Sequence, residues 1–179
     1  DTLVQDGHLF VQDIDGVSPV LGNIHSSTFT VKPGNKDRVQ VLAPGEIALP
    51  GSDIGRSTTT APAGQAAGTA FDVRARITDR YWNLLESGSG RIDINTSDPN
   101  DVEPSTRIIT IADTFSVTLT RSSTDQVVFA EELDDVDLGD SYAPVTSNTT
   151  QYSQTSPIAV TAGGADRLRG EPRRRRRPG

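Results

Sequence analysis

The stretch "AFDVRARITD" (residues 70–79) alternates apolar and polar side chains along its length. Apolar side chains at positions 71, 73, 75 and 77 are separated by polar ones at 72, 74, 76 and 78. A period of two places every second side chain on the same face of an extended strand. The pattern therefore predicts a β-strand with one buried and one solvated face.

Similar alternation, or a short apolar run bounded by turn residues, recurs along the chain and gives about nine strands. No window has a helical period, and Gly, Pro, Ser, Asn and Asp fill the gaps. The sequence predicts an all-β, antiparallel sandwich whose core includes Phe71, Val73, Ile77, Ile92, Ile94, Phe115, Val117 and Leu119. The remaining strand segments are "RIDINTSD" (91–98), "TFSVTLTRSS" (114–123), "HLFVQDI" (8–14), "STFTVKP" (27–33), "DRVQVLA" (37–43), "STRIITI" (105–111), "DQVVFAEE" (125–132) and "SPIAVTA" (156–162).

Two parts of the chain resemble each other at a long and nearly constant spacing. Residues 31–39 align with 160–168 at an offset of 129, which places Gly34 on Gly163, and residues 9–16 align with 128–135 at an offset of 119. A long fixed period is typical of tandem arrays. We therefore expect residues 1–33 to be the last strands of one repeat, 34–165 a complete repeat, and 166–179 the start of another with an Arg-rich tail.

The first strands would then be separated from the rest of their own repeat. An unpaired strand exposes backbone donors and acceptors that another segment can use. This hypothesis predicts that the partners are neighbouring repeats or copies of the same chain. Pairing between copies would produce a self-assembling filament or sheath by strand donation.

Composition limits the functions that the chain can have. Cysteine is absent, which excludes disulfides, thiolate metal sites and a cysteine nucleophile. The net charge is −7, although residues 173–177 are all arginine, so the acidic remainder should repel nucleic acid. No apolar stretch is long enough to insert into a bilayer.

Three stretches carry a resemblance to a known family: "LAPGE" (42–46), "AGTAFDVRARITDRYWN" (67–83) and "RIDINTSDP" (91–99). They resemble the immunoglobulin-like tandem repeats of large bacterial surface and secreted proteins, within the class that includes invasin-like domains. The resemblance implies an Ig-like sandwich and a non-catalytic structural or adhesive module outside the cell or at its surface. Arg74 and Arg76, in the middle of a strand, depart from the pattern of that family.

Candidate chemistry is sparse. His8 and His25 are the two histidines, and no G-x-S-x-G motif accompanies them, so we expect no enzyme. Calcium is the cofactor that the acidic loops suggest, because it prefers several hard oxygen ligands. The first candidate site consists of Asp134, Asp135, Asp137 and Asp140, and a second consists of Asn95, Asp98, Asp101 and Glu103.

One aromatic pair has two interpretations. Tyr81 and Trp82 lie between Asp79 and Asn83, where a strand ends. The first interpretation is a turn stabilised by Asp and Asn, with both rings lying over the end of the sandwich. The second is an exposed platform on which a cell-surface glycan stacks.

Overall fold

The computed structural model describes residues 5–17, 22–133 and 154–163, and the regular structure in these ranges is entirely β. The all-β prediction is confirmed. Every one of the nine predicted segments contains a strand, and four further short strands complete the set. The strands are β1 (Gln5–Gly7), β2 (Phe10–Val11), β3 (Ile24–His25), β4 (Phe29–Val31), β5 (Arg38–Leu42), β6 (Gln65–Ala66), β7 (Ala70–Thr78), β8 (Ser89–Thr96), β9 (Arg107–Thr110), β10 (Ala112–Thr118), β11 (Ser123–Gln126), β12 (Val128–Leu133) and β13 (Ile158–Thr161).

The described residues from 38 onward, here called the body, form three three-stranded sheets. Their orders are β5-β7-β10, β9-β8-β12 and β6-β13-β11. The pairs are antiparallel as predicted, except that β13 pairs with β6 in parallel. That exception joins Gln65 to Val160, residues that are far apart in sequence, so local alternation could not reveal it.

A single hydrophobic core lies between the sheets, in a sandwich-like arrangement. β7 is hydrogen-bonded on both sides, with Val73 opposite Phe115 and Ala75 opposite Val41. Its apolar side chains belong to the same buried core as Ile94 and the other buried apolar side chains of β8 and β12. All eight predicted core residues are buried, and the core also contains Val39, Val41, Ala43, Ala75, Leu85, Ile109, Val128, Ala130, Ile158 and Val160.

Residues 5–17 and 22–31, here called the leading segment, form two small antiparallel sheets. β1 pairs with β4, and β2 pairs with β3. Residues 32–37, here called the joint, connect this segment to β5. The predicted repeat boundary after residue 33 falls inside the joint, and the predicted third part (166–179) lies outside the described residues.

The leading segment reproduces part of the body's hydrogen-bonding pattern. The offsets of 119 and 129 read from the sequence relate its pairs to those of β11, β12 and β13, here called the closing strands. Gly7 opposite Phe29 corresponds to Gln126 opposite Ile158, and Phe10 opposite His25 corresponds to Phe129 opposite Gln154.

Single hydrogen bonds correspond as well. The Ser26 amide donates to the Leu9 carbonyl at 2.9 Å, and the Thr155 amide donates to the Val128 carbonyl at 2.9 Å. In return, the Leu9 amide donates to the Ser26 hydroxyl at 2.9 Å and the Val128 amide to the Thr155 hydroxyl at 3.1 Å. The two sets of pairs differ near Ser123, where β11 is irregular. There the pairing of the closing strands is shifted by one residue relative to that of the leading segment.

The loss of stability on truncating a side chain should be larger at a core position than at a surface position. Ile94→Ala removes a fully buried side chain and should lower the free energy of unfolding by about 2–5 kcal/mol. Ile108→Ala, the same change at an exposed position of β9, should alter it by about 0.5 kcal/mol or less. Urea denaturation measures both, and equal losses would contradict the core assignment.

Candidate functional site

Gly34 and Lys36 hold the joint to the body through polar contacts. The Gly34 amide donates to Oδ2 of Asp79 at 2.8 Å. Nζ of Lys36 donates to Oε1 of Glu132 at 2.7 Å and to the Ser89 carbonyl at 3.2 Å. The joint therefore attaches to the end of β7 and to β12 before the chain enters β5.

Asp79 organises the turn that follows β7. Its Oδ1 accepts the amides of Tyr81 at 2.8 Å and Asn83 at 3.0 Å, and its Oδ2 accepts Nδ2 of Asn83 at 2.9 Å in addition to the Gly34 amide. Burial acts to raise the pKa of Asp79, but the hydrogen bonds from Gly34, Asn83 and Tyr81 outweigh it and lower the pKa below the ordinary aspartate value. The ionised carboxylate thus stabilises both the turn and the joint.

The two predicted glycan-binding aromatics do not share a surface. Trp82 is 1% exposed, has a φ of 67°, and its Nε1 donates to the Asp53 carbonyl at 3.4 Å. Its ring packs so closely on Gly55 that any side chain at position 55 would overlap it. Tyr81 remains exposed beside Arg80, so the platform of two rings is absent and a sugar contact by Tyr81 alone stays a prediction.

The contact between Lys36 and Glu132 is a buried ion pair. The two side chains are 3% and 0% exposed. Glu132 lies over Gly90 on the neighbouring strand β8, where an added Cβ would overlap its carboxylate. A side chain at position 90 would therefore displace the Glu132 carboxylate from its present position. The ion pair links the joint to a closing strand across 96 residues of sequence.

Glu46 of the "PGE" motif has a structural role. Its Oε2 accepts the Ala43 amide at 2.8 Å, and its Oε1 accepts the Ser156 amide at 2.8 Å. Nε of Arg56 lies 3.5 Å from the same Oε1, and Nη1 of Arg56 donates to the Gln154 carbonyl. Burial lowers the pKa of Arg56, and the Glu46 carboxylate opposes that shift. The motif ties the turn after β5 to the segment that leads into β13.

Arg74 and Arg76, the departures from the family pattern, lie at the outer face of β7. Arg76 is buried, and its Nη1 donates to Oε1 of Gln40 at 2.6 Å. Burial, together with the charge of Arg74, lowers the pKa of Arg76 to about 10. Nε2 of Gln40 in turn donates to the Gly55 carbonyl at 2.7 Å. The arginine therefore supports the loop that covers Trp82.

In the second of the two predicted calcium sites, Asp98 stabilises a turn. Asp98 is buried and accepts the amides of Thr120 at 2.5 Å, Arg121 at 2.7 Å and Asn100 at 3.0 Å. Burial acts to raise the pKa of Asp98, but these bonds lower it overall. Within the described ranges, no group of three or more His, Asp or Glu side chains is placed to hold a metal ion. The first predicted site, Asp134, Asp135, Asp137 and Asp140, lies outside the described residues.

The two histidines lie beside each other in the leading segment, His25 in β3 and His8 two residues ahead of β2. The rings of His8 and His25 meet edge to face with centroids 5.2 Å apart, and the centroid of the Phe10 ring is 4.8 Å from that of His25. These contacts are cross-strand packing. The two histidines therefore have a structural role in the leading segment.

The leading segment exposes many large apolar side chains to solvent. Of the thirteen that are exposed in the described ranges, eight lie in this segment, and they include residues of β2, β3 and β4. Leu9, Val11, Phe29 and Val31, whose equivalents in the closing strands are all buried, are here called the apolar face. Exposed apolar patches are typical of interaction surfaces. The eight are Leu9, Phe10, Val11, Ile14, Val17, Ile24, Phe29 and Val31.

The structure therefore consists of an all-β, sandwich-like body, a joint that is hydrogen-bonded to the body, and a leading segment with exposed apolar side chains. No protein-family model, no curated protein and no solved structure matches the chain. Within the described residues there is no helix of the length and apolarity needed to cross a membrane.

Because Asp79 is charged in the folded state, the free energy of unfolding should depend on pH in the acid range. Because its folded-state pKa is lowered, its contribution is present above the unfolded pKa of about 4 and is lost as the pH falls through the folded value. Asp79→Asn should cost about 1–3 kcal/mol at pH 7. The difference from wild type should shrink as the pH falls below about 4 in urea denaturation.

The exposed Asp72 on β7 provides a matched control for that experiment. Asp72→Asn removes the same charge without the four hydrogen bonds. It should cost less at pH 7 than Asp79→Asn does. A difference between wild type and Asp79→Asn that stays constant down to pH 2.5 would refute the assigned role of the carboxylate.

The ion pair of the joint can be tested with two lysines. Lys36→Met removes the ammonium that faces a buried carboxylate and should cost about 3–5 kcal/mol. Lys32→Met breaks the exposed contact to Glu86, 3.5 Å long, and should cost about 1 kcal/mol or less. Thermal or urea unfolding compares them, and a similar cost for both would show that the buried pair has no special role.

Proposed function

We propose that this chain is a non-catalytic structural module from a tandem array of β-sandwiches in a large extracellular or cell-surface protein. The observation that carries the proposal is the repeated hydrogen-bonding pattern, in which the leading segment has the same pairs as the closing strands. Repeated modules in series extend whatever they connect. The location outside the cell follows from the resemblance to bacterial immunoglobulin-like repeats.

The residues that carry the resemblance support a structural role. Glu46, Asp79 and Asp98 each accept backbone amides at turns. Each carboxylate connects segments that are distant in sequence. The motifs thus preserve turns and joints, which is what a spacer module needs.

The joint is suited to transmitting force. A pull on the leading segment reaches the body through residues 32–37, where the Gly34 amide and the Lys36 ammonium are bonded to the body. The load then passes to β5, which is hydrogen-bonded along its length to β7. Backbone ladders between antiparallel strands resist such a load collectively, because several hydrogen bonds must break together.

A second candidate function is a self-assembling filament subunit, which the open apolar face favours. In that case the leading segment of one molecule would pair with another molecule. Sedimentation over a range of concentrations separates the two candidates. A filament subunit associates through its leading segment, whereas the module of an array sediments as a monomer.

Pulling on single molecules tests the module directly. Residues 38–161 should unfold in one step, with a gain in contour length of roughly 40 nm at about 3.6 Å per residue. Ile94→Ala should lower the unfolding force because it weakens the shared core, while Ile108→Ala should leave it unchanged. Several small steps, or extension without a force peak, would contradict the proposal.

A further inference from the structure

The leading segment and the closing strands have the same pairing but opposite exposure. Leu9 is 65% exposed, whereas its equivalent Val128 is 0% exposed. Val31 is 52% exposed, whereas its equivalent Val160 is 4% exposed. Val11 and Phe29 are likewise exposed where their equivalents Ala130 and Ile158 are buried. The same element is thus present twice, once covered and once open.

In the body, the cover comes from strands that precede the closing strands in sequence. β12 pairs with β8, which sets Ala130 opposite Ile94, and β13 pairs with β6, which sets Val160 opposite Gln65. The inward side chains of β5, β7 and β10 complete the core beneath them. These are the elements that the open face of the leading segment lacks.

We propose that the leading segment closes a second sandwich body built on the plan of residues 38–119, and that its apolar face is the docking site for that body. The occupant is a preceding module of the array, so this inference rests on the proposed function. A strand equivalent to β8 adds antiparallel beside β2, and a strand equivalent to β6 adds parallel beside β4. The backbone ladders set the register, and the apolar face fills the core of the occupant.

The side chains indicate that the occupant is related to this body but not identical with it. Leu9, Val11 and Phe29 are larger than Val128, Ala130 and Ile158, the residues that fill the equivalent places. Extra volume in a packed core is unfavourable unless the facing side chains are smaller. The preceding module should therefore have smaller core residues opposite these three positions.

An extended chain provides the test. The offset of 119 places Asp1 at the position of Thr120, so a second copy of residues 34–119 joined directly ahead of Asp1 supplies the missing strands without a linker. Calorimetry then measures the unfolding enthalpy, which scales with the number of folded residues. If the leading segment closes the added body, the 86 added residues fold as well, and the enthalpy should be about 1.6-fold that of the unextended chain.

A second version of the extended chain removes the crowding that the larger side chains of the leading segment would cause. Leu9→Val, Val11→Ala and Phe29→Ile together match the leading segment to the core of the added body. Either version with the enlarged enthalpy supports the proposal, and the matched version should melt at the higher temperature. If neither gains enthalpy while the control described next does, the proposal is overturned.

The control replaces residues 1–33 of the extended chain with residues 120–162, the known closing element. If this control gains enthalpy and the extended chains do not, this inference fails while the proposed array of independent modules stands. If the control also fails to gain enthalpy, modules do not fold in series, and both the inference and the proposed function are overturned.

Two variants, one double and one single, locate the docking surface. Phe29→Asp with Val31→Asp should abolish the enthalpy gain in the extended chain and leave the unfolding of the unextended chain unchanged. Thr30→Asp, on the other face of β4, should preserve the gain, because its equivalent Ala159 is exposed. A dimer of the unextended chain that the double substitution disrupts, with no gain on extension, would make the occupant a second copy and overturn the proposal.

Discussion

The structure depends on burying one face of β7 while both of its edges are hydrogen-bonded. β5 and β10 pair with it on either side, and the side chains at 71, 73, 75 and 77 are buried together. Each large apolar side chain buried in this way contributes roughly 1.5–3 kcal/mol. The other sheets are positioned by packing on this face, because an exposed apolar sheet face is unstable in water.

Buried carboxylates set the connections around that core. Glu46, Asp79, Asp98 and Glu132 each bind groups from distant parts of the chain, and each is hydrogen-bonded or paired. A buried charge without such partners would cost far more than it contributes. These residues therefore specify which loops and joints meet, whereas the free energy of folding comes mainly from the apolar core.

The repeated pattern connects this architecture to function. A closing element that is separated in sequence from the strands it covers can serve its own body or a neighbouring one. In an array, such elements would link modules through shared cores as well as through the backbone. In the proposed array, this joint would set how one module follows another, since Gly34 and Lys36 are bonded to the body that they precede.

The sequence by itself determined nine of the thirteen described strands, the core face of the body strands and the resemblance between the leading segment and the closing strands. Strand and core face are local properties, since alternation along a strand separates core from solvent whatever the strand pairs with, and the resemblance follows from aligning the chain with itself. Only the tertiary structure decided that β13 runs parallel to β6, that Lys36 meets Glu132 and that Trp82 is covered while Tyr81 is not. Each of these depends on contacts between residues distant in sequence, or on a turn with positive φ, and the exposure of a ring is set by the loop that packs over it.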